Sequence, residues 1–321
     1  MRYDVEADWM LFYTCNYRCD YCFFSPQQLG QKVRVHANPA EWGAAFDRTG
    51  KTWLIHMTGG EPSHYPDFVD LAATVTERHF ISVNSNLTGA SLQRFSERID
   101  PRRVGFINAG LHPAERERRN GHGVFLRHAE MLLKRGFPVM ATVVATPDAL
   151  QNFDAITESL RSVGLVPFPK LLQGSKLGKS YPANYTAEER ALFRRYSHAA
   201  QEAYPALFGK GRERPSIDPT RGRRYVRKNP RYKGKMCSAG RDFVRIDPNG
   251  NVRRCGGAAD MGNLLAGSIR FADQATPCDR SYCFYFCEKY TRRAAREEWE
   301  RAHPIAAFAR RVKRSLIAAA Q

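Results

Sequence analysis

Six times between residues 9 and 172 the chain alternates a short apolar run with a segment of helical periodicity, and nothing else limits its fold as strongly. The runs 9–13 (WMLFY), 52–58 (TWLIHMT), 80–84 (FISVN), 104–109 (VGFINA), 139–144 (VMATVV) and 165–172 (LVPFPKLL) read as buried strands. Helices are expected between them over 66–79, 124–136 and 147–164. The second ends in Lys-Arg-Gly, with cations at the negative end of the dipole and a glycine stop. The third opens on proline and acid and closes on glycine. Serial βα units imply a parallel sheet with right-handed crossovers. Such a sheet either stays open and doubly wound or curls into most of a barrel, and both put chemistry at the C-terminal ends of the strands. Cys15, Gly59, Asn86 and His112 follow the first four runs in order.

The pattern changes after about Ala206. A Gly/Arg/Pro-rich connector leads to a cysteine-rich module of short strands, and the chain ends in a basic helix expected from about Ile305. Ile305, Phe308, Val312 and Leu316 fall on one face of that helix, which is expected to dock on the protein's own core. The expected domains are a barrel at 1–205, a basic connector at 206–235, the module at 236–292 and the C-terminal helix at 293–321.

Charge and cysteine usage narrow the function. No apolar run approaches the length of a membrane span. The start, MRYDVEADWM, lacks the regions of a secretion signal, so a reducing cytoplasm is expected, where eight cysteines read as metal ligands or catalytic groups. Fifty Lys and Arg against 32 Asp and Glu give +18. Most of that excess is dispersed, as in DPRR, ERERR and FRRY, which reads as compositional bias. The run 221–235, RGRRYVRKNPRYKGK, with Tyr225 and Tyr232 interleaved, is the denser candidate for an anionic partner.

Cys15, Cys19 and Cys22 lie together in CNYRCDYC. Structural zinc sites and ordinary ferredoxin clusters close with four ligands, whereas three thiolates leave the fourth iron of a cubane open. C-x3-C-x-aromatic-C, with Tyr21 as the aromatic, resembles the signature of the radical S-adenosylmethionine (radical SAM) enzymes. The resemblance covers roughly residues 8–175. It implies a partial (β/α)6 barrel of TIM type and a [4Fe–4S] cluster at Cys15, Cys19 and Cys22 whose open iron binds S-adenosylmethionine. It also implies reductive cleavage of that cofactor to a 5′-deoxyadenosyl radical, which abstracts hydrogen from substrate. Gly59-Gly60-Glu61-Pro62 resembles the family's loop beside the methionyl amino group, where glycines admit a ligand and a carboxylate accepts from an ammonium. Ser85 and Asn86, in VNSNLTG, match the strand end that contacts the cofactor's ribose or carboxylate. His112, Lys170 and Gln173 are candidates for substrate contact.

Cys237, Cys255, Cys278, Cys283 and Cys287 remain. With DPNGNV as a strand–turn–strand signal, this segment is similar to the auxiliary-cluster modules called SPASM and twitch. Five thiols suit one auxiliary [4Fe–4S] cluster, a twitch-type α+β module, with zinc as the alternative. One thiol among Cys278, Cys283 and Cys287 is then spare, either as a hydrogen donor to a substrate radical or as a buried spectator. The expected activity is hydrogen abstraction from an unactivated C–H bond of a small polar, carbohydrate- or aminocyclitol-type substrate, ending in epimerisation or oxidation. A flavodoxin or ferredoxin is the expected reductant. Peptide maturation and RNA modification are the rival activities, the nucleic-acid partner being the less favoured.

Overall fold

The computed structural model describes residues 1–176, 178–204, 226, 231–255, 259–281, 283 and 289–308. The expectations for Cys287, Tyr225, Val312, Leu316 and most of the basic connector lie outside the described residues.

Six parallel strands stand in sequence order: β1 Val5–Met10, β2 Trp53–Thr58, β3 Phe80–Ser85, β4 Val104–Gly110, β5 Val139–Val144 and β6 Phe168–Lys170. Sequential order with no switch point is that of a barrel wall rather than a doubly wound sheet. A hairpin of β7 Gly174–Lys176 and β8 Lys179–Tyr181 follows, and β9 Met236–Cys237 pairs later with β13 Thr276–Pro277. The module does not stand apart. β10 Phe243–Ile246 adds to the free edge of β1 in parallel, and β11 Asn251–Arg253 and β12 Asp260–Asn263 continue antiparallel from it.

The first strand lies earlier than its hydropathy suggests. β1 is VEADWM, and residues 11–13 already form the approach to the cysteine loop. Its odd positions face the helices, where Trp9 packs on Trp42 at 4.6 Å and on Phe46 at 5.2 Å. Its even positions, Glu6 and Asp8, put carboxylates inside the barrel, and a reading by apolar runs passes over them. β6 is also shorter than expected. Pro167 and Pro169 remove ladder donors, which an edge strand tolerates. The 147–164 helix is broken into Pro147–Gln151, Phe153–Ser159 and a 3-10 turn at Arg161–Val163 that stops at Gly164, φ 67°.

A helix runs over Lys289–Ala302. In the helical segment after it Ile305 and Phe308 are exposed, at 86% and 67%, while Ala307 is the buried residue, so these two members of the expected apolar face do not dock on the core. Tyr232, expected on a binding surface, is buried instead, with Lys235 over its ring. No described helix is long and apolar enough to cross a membrane.

Candidate active site

The cysteine loop springs from the C-terminal end of β1 and is folded by local bonds. Cys22 N–H donates to Cys19 O at 3.0 Å, Cys15 N–H donates to Leu29 O at 3.1 Å, and Arg18 caps the carbonyls of Cys15 and Tyr17. The helix Pro26–Leu29, closed by a Ser25–Gln28 capping box, holds the far side. Gly59 and Gly60 fix the loop's base to the end of β2. Gly60 N–H donates to Phe12 O at 2.9 Å and Glu61 N–H to Thr14 O at 3.1 Å. A Cβ on Gly60 would lie 1.8 Å from Thr14 O, and one on Gly59, φ 135°, 2.4 Å from Phe12 O. In this structure the two glycines admit backbone to backbone, beside the thiols.

Glu61 is 1% exposed, and its carboxylate is fully engaged. Oε1 accepts from Ser63 N–H, Ser63 Oγ at 2.5 Å and Ser85 Oγ at 2.6 Å, and Oε2 accepts from Asn86 N–H at 2.6 Å. It ties the ends of β2 and β3 together. Asn86 continues the brace, its amide donating to Asn16 Oδ1 at 2.9 Å inside the cysteine loop. Arg116, hidden in sequence among the dispersed arginines of ERERR, is buried beneath this corner. Its guanidinium donates to the carbonyls of Asn86, Gly110, Leu111 and Gly121 and lies 4.3 Å over Phe125. Burial pulls its pKa down to about 10, against the opposing effect of Tyr17 and Glu61, so it stays charged at neutral pH.

His112 belongs to the thiol loop as much as to β4. It sits at φ 49° after the strand, and the Tyr21 hydroxyl is hydrogen-bonded with Nδ1 at 2.7 Å, with Cys19 Sγ 3.5 Å from the same nitrogen. Gly110 makes room for this: a Cβ there would meet His112 Nε2 at 2.5 Å. Burial, reinforced by Arg116 and Lys170, brings the His112 pKa down to about 3, so the imidazole is neutral. Burial likewise pushes the Cys15 thiol up to about 11 and Cys19 up to about 12, and the charges of neighbouring thiols add to it. Two soft donors that resist ionisation alone, with the third thiol of Cys22 beside them, suit several cationic irons.

These groups open onto a cavity of about 350 Å³. Cys15, Cys19, Cys22, Tyr21, Gly59, Gly60, Glu61, Ser85 and Asn86 all line it, as do the substrate candidates His112, Lys170 and Gln173. Pro62 does not line it. Lys170 keeps solvent contact through the cavity while protein crowds it. Burial lowers its pKa, and Asp8 and Cys22 oppose that shift. Sequence reading missed Asp8, Asn84, Asn108, Thr142 and Arg245, which also line the cavity. The usable signal was a polar residue at alternate positions of an otherwise apolar strand.

The second group of thiols lies between β9, β11 and β13. No disulfide joins the seven described cysteines. Cys237, Cys255 and Cys283 pack on the Ala239–Phe243–Tyr290 cluster, and Cys278 and Cys283 on the Tyr185–Tyr232 cluster. Burial pushes Cys255 up to about 11; Arg254 opposes this, and the charges of Cys237, Cys278 and Cys283 add to it. One guanidinium organises the surroundings: Arg254 donates to the carbonyls of Ala239 (2.9 Å), Pro277 (2.9 Å), Cys237 (3.1 Å) and Thr276 (2.7 Å). Neither Cys278 nor Cys283 lines the cavity. Among the described residues no three His, Cys, Asp or Glu side chains are placed to hold one metal ion.

Residues 9–160 match the family described as the Radical SAM superfamily, whose members use a [4Fe–4S] cluster, S-adenosylmethionine and a reductant. Solved structures with a similar fold include the following two. Native anSMEcpe with bound AdoMet has a TM-score of 0.55 and 13% identity, over 81% of this chain and 78% of that one. Streptococcus suis SuiB bound to precursor peptide SuiA has a TM-score of 0.55 and 13% identity, over 84% of this chain and 65% of that one. At such identities the likeness is one of fold. No curated protein sequence matches the chain.

Proposed function

With a radical SAM domain over residues 9–160, we infer that the chain is a radical SAM enzyme which abstracts hydrogen from an unactivated C–H bond of a small polar substrate. The observation that carries this reading is the mutual placement of Cys15, Cys19 and Cys22 at the mouth of a cavity whose rim is braced by Glu61. The three thiols are the ligands for a [4Fe–4S] cluster, which when bound supplies the electron that cleaves S-adenosylmethionine. The protein's own residues set the geometry. Glu61 acts by locking Ser85 and Asn86 at the β3 end, so that the backbone of 59–61 and the edge of 85–86 present fixed contacts to the cofactor. His112 and Tyr21 hold Cys19 from below.

Cys237, Cys255, Cys278 and Cys283 are the ligand set assigned to one auxiliary cluster, and Cys287, outside the described residues, is the thiol left over. Neither Cys278 nor Cys283 lines the cavity, so neither is placed to return hydrogen to a substrate radical there, and oxidation with the auxiliary cluster as electron acceptor stands beside epimerisation. A flavodoxin or ferredoxin is the proposed reductant. Peptide modification is the second reading: related structures are complexes of anSMEcpe and SuiB with peptides.

Purification without oxygen, followed by iron and sulfide analysis and incubation with dithionite and S-adenosylmethionine, tests the reading. 5′-Deoxyadenosine is the expected product. A well-loaded cluster that leaves S-adenosylmethionine intact refutes the assignment.

A further inference from the structure

Below the cysteine loop the floor of the cavity is polar, and its polarity is lopsided. On one side Thr142 donates its hydroxyl to Asn108 Oδ1 at 2.7 Å, and Asn108 Nδ2 donates to Asn84 Oδ1 at 2.7 Å. The chain of donors ends on the Asn84 amide nitrogen, which has no acceptor among the described residues. On the other side Asp8 accepts from Thr58 Oγ1 at 2.9 Å and stands in register with Arg245 on β10. Partners in register present their side chains to the same face of a sheet. Lys170, from β6, reaches the same cavity and lies in the field of Asp8.

Neither Lys170 nor Arg245 has a carboxylate at ion-pair distance among the described residues, and the one polar contact of the Arg245 side chain is with Met10 Sδ at 4.0 Å. Two cations with unused donors in a partly closed cavity are stabilised by an anion. A guanidinium fork fits a carboxylate or phosphate by two parallel bonds, and an ammonium adds a point charge beside it.

We propose that Lys170 and Arg245 form an oxyanion clamp for the substrate, which is therefore a small, oxygen-rich molecule bearing a carboxylate or phosphate. Its remaining oxygens face the Asn84–Asn108–Thr142 relay. The proposal rests on the radical SAM reading only for the word substrate; the clamp itself is a property of the cavity. The carboxylate of S-adenosylmethionine is the competing occupant.

Calorimetry under anaerobic conditions on the reconstituted full chain decides between them. The probes are inorganic phosphate and malonate, each titrated with S-adenosylmethionine already bound, and S-adenosylmethionine alone. The wild type should bind at least one oxyanion at millimolar concentration, and the preferred one identifies the substrate's charged group. K170M and R245M should each weaken that binding by about tenfold or more while S-adenosylmethionine affinity stays within about twofold. R245K, which keeps the charge and loses the fork, should fall between wild type and R245M and covers the case in which R245M does not fold. No oxyanion binding by the wild type overturns the clamp, as does undiminished binding in K170M and R245K. A fall in S-adenosylmethionine affinity that parallels the loss of oxyanion binding assigns the pair to the cofactor and overturns it too. 5′-Deoxyadenosine formation in the same wild-type preparation separates the two readings. Cleavage without oxyanion binding removes the clamp alone, and oxyanion binding without cleavage removes the radical reading alone.

Discussion

At Gly60 a single hydrogen atom decides whether the site assembles. Its α-hydrogen faces Thr14 O, and a methyl group there would lie 1.8 Å from that oxygen. G60A is expected to push the 59–61 backbone off the cysteine loop and destabilise the fold by about 3 kcal/mol or more. Iron analysis should show the first cluster lost and the second retained. Glu61 gives a subtler test. Gln keeps the size of the side chain but replaces one acceptor oxygen with a donor facing a donor, at Ser63 and Ser85 or at Asn86 N–H. E61Q should cost about 1–3 kcal/mol in thermal unfolding and weaken S-adenosylmethionine binding with little change in iron content. A Glu61 that served only as a direct ligand to the cofactor would leave the unfolding midpoint unmoved. The sequence motif at 59–62 thus marks the right loop, while the job of each residue in it depends on which carbonyls and hydroxyls the fold brings near.

Between elements, the C-terminal helix is fastened to the barrel by charge. Lys289, at the start of that helix, donates to Glu6 Oε1 inside β1. Tyr3 donates to the same oxygen at 2.6 Å, and His56 Nε2 lies 3.2 Å from Oε2. Burial alone would raise the Glu6 pKa, but the His56 hydrogen bond and the charges of Lys289 and His56 outweigh it and hold the carboxyl far below its ordinary 4.5. A depressed carboxylate stabilises the fold fully above about pH 4.5, and that contribution is lost as the pH falls below this toward the folded value. The thermal midpoint should therefore drop steeply on acidification below about pH 4.5, and E6Q should flatten that limb. At neutral pH E6Q should cost about 3–5 kcal/mol, since it removes the buried carboxylate that Lys289 and His56 face. Arg254 plays a comparable part in the module, joining β9, β13 and Ala239 in the loop between β9 and β10 by four carbonyl bonds. R254M should lower iron in the second site and leave the first loaded, read by iron count and by the visible spectrum. Neither fastening was visible as a motif, because Lys289 and His56 lie far from Glu6 in sequence and Arg254 is 15 or more positions from each carbonyl it meets.

For the whole molecule the expected inventory is about eight irons per chain in two clusters. Alanine at Cys237, Cys255, Cys278 or Cys283 should reduce it to about four without abolishing S-adenosylmethionine cleavage, and alanine at Cys287 should leave about eight. Loss of iron with Cys287→Ala, and none with Cys278→Ala, would exchange their roles. The sheet is continuous from β12 to β6, so the module and the barrel share one wall through the β1–β10 pairing. That pairing carries Arg245 into the cavity, and a chain cut before the module would lose that side of the floor.

The sequence by itself determined the parallel βα order, the three-thiol loop and the second cysteine group, because these are written in local periodicity and spacing. It also located most of the rim: nine of the residues singled out for the cluster and cofactor line one cavity. Only the tertiary structure decided that the sheet is a barrel wall in sequence order, that Gly59 and Gly60 meet backbone, that Glu61 is a brace, and that Arg116 in a run of ordinary arginines is buried beneath the site. It alone placed Lys170 and Arg245, 75 positions apart by their numbers, in one cavity. Periodicity reports which face of a strand a side chain takes, but the chemistry on that face depends on neighbours that come from other strands, and pairing across a sheet has no signature in a local window.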